Sequence, residues 1–238
     1  MVLVIDAGNT VIKLGMFEQG KLVQTLFFDA EASLIQACNE HAAAPVVIAS
    51  VSQSTMHLKN LIKNPARLFQ VSTDTATPII NLYKSPNTLG SDRLAGVVGA
   101  SALFPNEDCL VIDLGTCATY DLITKNREYF GGSISAGLSM RFKAMNTFTA
   151  RLPLIEANPV ADLTGTDTIT AMNSGTVLGL LYEIEGFIAE YRSKYPQLRV
   201  LICGGNASFF ETKIKAPIFV LPELVLIGLE RIYAHNAS

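Results

Sequence analysis

The chain has 238 residues, 49% hydrophobic and 16% charged, which is enough apolar material for a sizeable core and excludes a disordered chain. Its formal net charge is −3 and no basic block stands out, which argues against nucleic-acid binding. No run of about 18 uncharged apolar residues occurs, so a transmembrane helix is not expected. The opening MVLVIDAGNT is apolar, but Asp6 interrupts it and no basic region precedes it. It reads as a buried strand and not as a signal peptide, so cytoplasmic residence is the expectation. Cys38, Cys109, Cys117 and Cys203 form no Cys-x-x-Cys pair, and with His41, His57 and His235 they show no zinc spacing. Free thiols in a reducing compartment are expected.

In chain order, Val2–Asp6 is a strand ending in the turn Ala7-Gly8-Asn9-Thr10. Val11–Phe17 alternates in part, Glu18-Gln19-Gly20 makes a hairpin turn, and Leu22–Phe28 follows as a strand. A helix is expected over Ala30–His41, a buried strand over Pro45–Val51, a short helix over His57–Asn64 and a strand over Arg67–Ser72. The prolines within Thr77–Leu89 mark a loop. Ser91 opens a helix running from Asp92 to about Phe104, stopped by Pro105-Asn106.

The opening pattern then returns. Cys109–Asp113 is a strand, Leu114-Gly115-Thr116 a turn, and Ala118–Thr124 a second strand. A glycine-rich segment spans Gly131 to Gly137, helices follow at about Leu138–Arg151 and Thr168–Tyr195, and the strand Arg199–Cys203 runs into Gly204-Gly205. A last strand and helix close the chain. VIDAGNTVIKL at Val4 and VIDLGTCATYDL at Val111 lie 107 residues apart, close to half the chain. Two halves of related architecture, 1–106 and 107–238, explain this. Each mixes early strands with later helices, which indicates α/β sheets flanked by helices.

An Asp at the end of a buried strand is costly unless a partner offsets its charge, and a metal ion is a natural partner. Gly8 lets the backbone approach a phosphate closely, and the N–H groups of such a turn form an anion-binding concavity. Thr10 and Thr116 add hydroxyls, and Lys13 on the next strand is placed to face the same side. The set suits a Mg²⁺-nucleotide without a G-x-x-x-x-G-K-[ST] loop. On the residues alone both Asp6 and Asp113 are Mg²⁺ candidates; an isolated copy of the motif would equally serve as a turn cap. Asp92 stands in the first turn of a helix, where the dipole favours its ionised form and suits it to accept a hydroxyl proton. Arg93 is placed to clamp an anionic substrate, although a helix-start Asp followed by a surface Arg also fits the spacing. Gly204-Gly205 suits either a nucleotide base packed on bare backbone or a plain strand-to-helix turn.

Taken as an ordered set, these motifs resemble the type III pantothenate kinases. Asp6-Ala7-Gly8-Asn9-Thr10 with Lys13 is similar to that family's first phosphate motif, and Asp113-Leu114-Gly115-Thr116-Cys117-Ala118-Thr119 to its second. Tyr83, Pro86 and Gly90-Ser91-Asp92-Arg93 resemble its substrate motif. Gly131–Gly137, Leu152-Pro153, Gly165-Thr166-Asp167-Thr168, Gly175 and Gly204-Gly205 continue in register. The resemblance implies two ribonuclease-H-like domains with mixed sheets flanked by helices, the actin-like ATPase fold. It implies transfer of the γ-phosphoryl group of ATP to pantothenate, giving 4'-phosphopantothenate in the first step of coenzyme A biosynthesis. It implies that Asp6, Ala7, Gly8, Asn9, Thr10, Val11, Ile12, Lys13 and Thr116 contact ATP, with Mg²⁺. Asp92 is then the proton acceptor, and Tyr83, Gly90, Ser91, Asp92, Arg93 and Thr168 bind pantothenate. It also implies that Asp113 binds a monovalent cation, K⁺ or NH₄⁺, and that the protein is a homodimer with the site near the interface.

The chain departs from the family at Ala136, where a proline is usual, and at Cys117, where alanine is frequent; Cys117 reads as a small apolar filler. Two other readings share the architecture. One is a non-catalytic Bvg accessory factor-like transcriptional regulator, disfavoured by the retained Asp6, Asp92 and Asp113. The other is a kinase of the same superfamily acting on another small hydroxylated substrate, disfavoured by Gly90–Arg93.

Overall fold

A computed structural model describes residues 1–8, 11–49, 67–72 and 74–237. Its contacts divide the chain into two compact units. The first comprises Met1–Asn106, Ile123–Phe130 and Glu223–Ser238; the second comprises Glu107–Leu122 and Gly131–Pro222. One division between these units falls at 106/107, and the C-terminal segment and the short piece 123–130 group with the first unit.

In the first unit, β1 (Val2–Ala7), β2 (Ile12–Glu18) and β3 (Lys21–Phe28) form an antiparallel meander, and β4 (Val46–Ala49) and β5 (Leu68–Val71) extend it in parallel, in the order β3-β2-β1-β4-β5. Gln19 and Gly20 both have positive φ, 50° and 74°, the backbone a tight two-residue hairpin turn requires. Leu3, Ile5, Leu14, Met16, Val46 and Ile48 pack with Leu34 and Cys38 of α1 (Glu31–Glu40). The helix expected over His57–Asn64 lies outside the described residues, as do the last residues of the strand expected to Val51.

The span Thr77–Leu89, expected as loop, contains the two-residue strand β6 (Ile80–Asn81) and a 3-10 turn at Pro86–Thr88. β6 pairs in parallel with the start of β9 (Glu128–Ala136), Ile80 opposite Glu128 and Asn81 opposite Tyr129. The helix α2 (Ser91–Leu103) is buried over most of its surface and packs on α6 (Leu224–Asn236). Glycines make this crossing close. A Cβ on Gly228 would stand 1.7 Å from the Ala95 carbonyl, and one on Gly99 2.6 Å from that of Leu224.

The second sheet has the order β11-β10-β7-β8-β9-β6. Here β7 is Cys109–Leu114, β8 Cys117–Ile123, β10 Arg199–Cys203 and β11 Phe219–Val220. The glycine-rich segment is strand β9 and not an irregular loop. α3 (Leu138–Phe148) ends three residues before the expected Arg151, and α4 (Thr168–Lys194) stops one short of Tyr195. α4 starts at a reciprocal cap: Asp167 Oδ1 accepts from Thr170 N at 2.9 Å, and Thr170 Oγ1 accepts from Asp167 N at 3.1 Å. α5 is the short helix Ala207–Glu211. Leu110, Ile112, Tyr120, Phe142, Val177, Leu180 and Ile202 belong to the core of this unit.

Candidate active site

The first unit holds the Asp6 turn and the start of α2. β1 places Asp6 directly opposite Lys13 of β2, so the two side chains share one face of the ladder. Burial raises the Asp6 carboxyl above its usual range; the Lys13 ammonium pulls it down and the Asp92 carboxylate pushes it up again. Two carboxylates within electrostatic reach of each other, with one lysine between strands, make a place where an added cation relieves repulsion. A Cβ on Gly8 would meet the Val11 carbonyl at 3.0 Å. Val11, Ile12 and Lys13 are half-buried, Ala7 likewise, and Asn9 and Thr10 lie outside the described residues.

Gly90 precedes α2, and Asp92 occupies its first turn. The Asp92 carboxylate curls back over Gly90: Oδ1 accepts from Arg93 N at 2.8 Å, and a Cβ on Gly90 would lie 2.3 Å from it. Asp92 is exposed to solvent. Ser91 is buried, and its hydroxyl has no hydrogen-bond partner among the described residues. Arg93 is no surface residue, being only 9% exposed. Its guanidinium lies 5.6 Å from the centre of the Tyr83 ring, which stacks at 6.1 Å on Tyr129. Sequence reasoning missed Tyr129. It is fully buried on β9, far from Tyr83 along the chain, and no local signal marks it.

The second unit holds the Asp113 turn. Asp113 is half-buried at the end of β7, and Thr116 is exposed. Two glycine segments wrap this turn. Gly204 has φ +87°, and a Cβ there would stand 2.4 Å from Asp113 Oδ1 and 2.6 Å from the Leu114 backbone. A Cβ on Gly137 would meet the carbonyls of Thr116 at 2.4 Å and Gly115 at 2.5 Å. Gly204-Gly205 is a strand-to-helix turn. Asn206 beyond it donates from its backbone N and from Nδ2 to the Leu114 carbonyl, at 2.9 and 3.1 Å. An added Cβ on Gly205 meets open space. Thr168, the first residue of α4, is exposed. Cys117 is half-buried at the start of β8.

Asp6, Lys13, Tyr83, Asp92 and Arg93 therefore belong to the first unit, and Asp113, Thr116 and Thr168 to the second. Among the described residues no group of three or more His, Cys, Asp or Glu side chains forms a metal cage. A cation held by Asp6 or by Asp113 would take its further oxygen ligands from backbone carbonyls, water or a bound phosphate.

Comparison with known proteins follows the same lines. A family model described as type III pantothenate kinase matches residues 2–190. A type III pantothenate kinase from Cytophaga hutchinsonii is 43% identical over 99% of this chain and 100% of its own length. Among solved structures, a Baf family transcriptional activator from Campylobacter jejuni aligns with TM-score 0.64 at 20% identity, over 99% of both chains. An inorganic polyphosphate/ATP-glucomannokinase from Arthrobacter aligns with TM-score 0.50 at 14% identity, over 98% of both chains. At such identities the structures establish the fold, that of the actin-like ATPases and sugar kinases, and carry neither regulation nor sugar specificity to this chain.

Proposed function

We infer that this chain, which belongs to the type III pantothenate kinase family, is an ATP-dependent kinase that phosphorylates pantothenate to 4'-phosphopantothenate in coenzyme A biosynthesis. The observation that carries this reading is the 43% identity maintained along essentially the whole length of both chains. The site geometry supports the assignment of roles.

Asp92 accepts the proton of the pantothenate primary hydroxyl as its oxygen bonds to the γ-phosphorus and ADP departs. Its carboxylate is exposed and fixed by the Arg93 N–H. Phosphoryl transfer depends chiefly on positioning and charge neutralisation, and the other residues supply these. Lys13 and the backbone of the Asp6–Ile12 turn hold the phosphates, and Asp6 is the carboxylate that would hold the Mg²⁺ accompanying ATP. Thr116 contacts the phosphates through the second turn. Arg93, steadied by the Tyr83 ring, binds the pantothenate carboxylate. The unpartnered Ser91 hydroxyl and Thr168 offer further hydrogen bonds to the substrate.

Asp113 fits a monovalent cation, K⁺ or NH₄⁺. Gly204 and Gly115 bring bare backbone close to this carboxylate, where a Cβ would stand 2.4 Å and 3.2 Å from Oδ1. Such a cation supplies positive charge against the phosphates, worth most in a water-poor cleft. A homodimer is supported by apolar side chains left exposed in the second unit: Ile134, Met140, Phe148, Leu154, Leu163 and Tyr182. No described helix is long and apolar enough to cross a membrane, in keeping with action in the cytoplasm.

The test is ADP formation by the purified protein with pantothenate present and absent, and with and without K⁺, with the product identified by mass. Pantothenate-dependent ADP release with a phosphorylated product is expected. ADP release indifferent to pantothenate would overturn the assignment.

A further inference from the structure

We propose that Arg141, held in place by Glu183, is a positioning residue that fixes the phosphate turn at Gly115-Thr116. The inference rests on the reading that this turn contacts ATP.

The peptide between Ala136 and Gly137 is held at both ends. Its carbonyl, on Ala136, accepts from Arg141 Nε at 2.9 Å. Its N–H, on Gly137, donates to the Thr116 carbonyl at 3.2 Å. A peptide group is planar and stiff, so holding its carbonyl end sets the direction of its N–H end. Hydrogen bonds in such a chain also polarise one another. Gly137 permits this contact because a Cβ would collide with the carbonyls of both Gly115 and Thr116.

Helix α3 places the guanidinium where it is needed. Arg141 lies one turn into the helix, its own N–H bonded to the Gly137 carbonyl at 3.1 Å. Helical side chains lean towards the N-terminus, which brings Nε back over Ala136. The far end of the guanidinium is anchored. Arg141 Nη2 donates to Glu183 Oε2 at 2.5 Å and to Ser135 Oγ at 3.2 Å. Glu183 in turn accepts from Ser135 Oγ at 3.2 Å and, through Oε1, from Tyr120 Oη at 2.9 Å. Tyr120 is fully buried on β8 and stacks on Phe187 at 4.1 Å. The Arg141 and Glu183 side chains are 21% and 23% exposed, so this charge-assisted pair is largely shielded from water. The rigid core of the second unit is thereby tied through Glu183, Arg141 and one peptide plane to the backbone of Thr116. Neither charged residue needs to touch a substrate.

The test compares Arg141→Met, Arg141→Lys and Glu183→Gln with Thr116→Ala, measuring kcat and the KM for each substrate together with thermal melting. Arg141→Met is expected to lower kcat/KM for ATP by about 10- to 100-fold, the scale of a misplaced contact of about 1 Å. The KM for pantothenate should stay within about twofold. Arg141→Lys should recover part of the loss, because an ammonium reaches the Ala136 carbonyl or Glu183 but does not fork between them. Glu183→Gln should move in the same direction by less, and with Arg141→Lys it carries the test if Arg141→Met does not fold. Unchanged ATP kinetics in Thr116→Ala would refute the phosphate reading of the turn and the inference with it. A defective Thr116→Ala beside Arg141 and Glu183 variants that lose both substrates equally, or only melt earlier, would overturn the inference and leave that reading standing.

Discussion

Replacing Gly90 by alanine isolates the position of the Asp92 carboxylate from the fold that carries it. Gly90 has φ −61° and ψ 133°, a conformation alanine adopts without strain. Alanine at a compatible site stabilises by about 0.4–1 kcal/mol through the unfolded chain. Against this, the new Cβ would lie 2.3 Å from Asp92 Oδ1, and ordinary contact begins near 3.4 Å, so the oxygen must retreat by about 1 Å. Asp92 is exposed, so its carboxylate has solvent to move into, and the retreat costs the hydrogen bond from Arg93 N, on the order of 1 kcal/mol net, and little else. The two terms nearly cancel, and Tm should stay within about 2–4 °C of wild type, the shift that 1 kcal/mol produces in a chain of this size. A base displaced by 1 Å is another matter: about 10²-fold in turnover is at stake. Steady-state kcat with pantothenate and a thermal melt on the same preparation decide it. A Gly90→Ala protein with normal Tm and a kcat within about threefold of wild type would refute the argument that Asp92 must stand where it does.

Asp92→Asn should retain ATP binding and lose about 10²-fold in turnover, at the low end for a general base because the transition state is loose; near-normal turnover would remove Asp92 from the mechanism. In matched chloride salts at constant ionic strength, the wild type should be active with K⁺ or NH₄⁺ and weakly active with Na⁺, and Asp113→Asn should blunt that difference. Equal wild-type rates in Na⁺ and K⁺ would return Asp113 to a Mg²⁺ or structural role. Glu230 on α6 is buried, its Oε2 has no hydrogen-bond partner among the described residues, and the Arg231 Nε stands 3.6 Å away. Burial pushes its carboxyl above the ordinary value of 4.5, with Arg231 pulling the other way. A raised folded-state value means the charged form burdens the fold, so stability falls as pH climbs from 4.5 through that higher value. Glu230→Gln should therefore melt above wild type at neutral pH, with the gap closing as pH drops to 4.5 and below. A gap independent of pH would show that the charge is not its cause.

The sequence by itself determined the features that depend on neighbours along the chain. The apolar run Val2–Ile5 ending at Asp6, and its return at Val111–Asp113, mark two strand ends with carboxylates, because strand burial and turn chemistry are local. Strand alternation put Lys13 on the same side as the Asp6 turn, and pairing in register set it opposite Asp6. A helix start near Ser91 was legible from the sequence, but Ser91 does not cap it: the N-cap is Gly90, with no side-chain cap hydrogen bond. Tertiary structure decided the rest. The two-residue strand β6 is too short to show a period and exists only through its pairing with β9. The C-terminal helix groups with the first unit because Gly228 lets it lie against Ala95 of α2. Tyr129 beneath Tyr83, and Glu183 reaching Arg141 and Tyr120 across 42 and 63 residues, are partnerships without a local pattern. Periodicity tells a residue which face it occupies; which distant side chain shares that face is settled only when the elements pack.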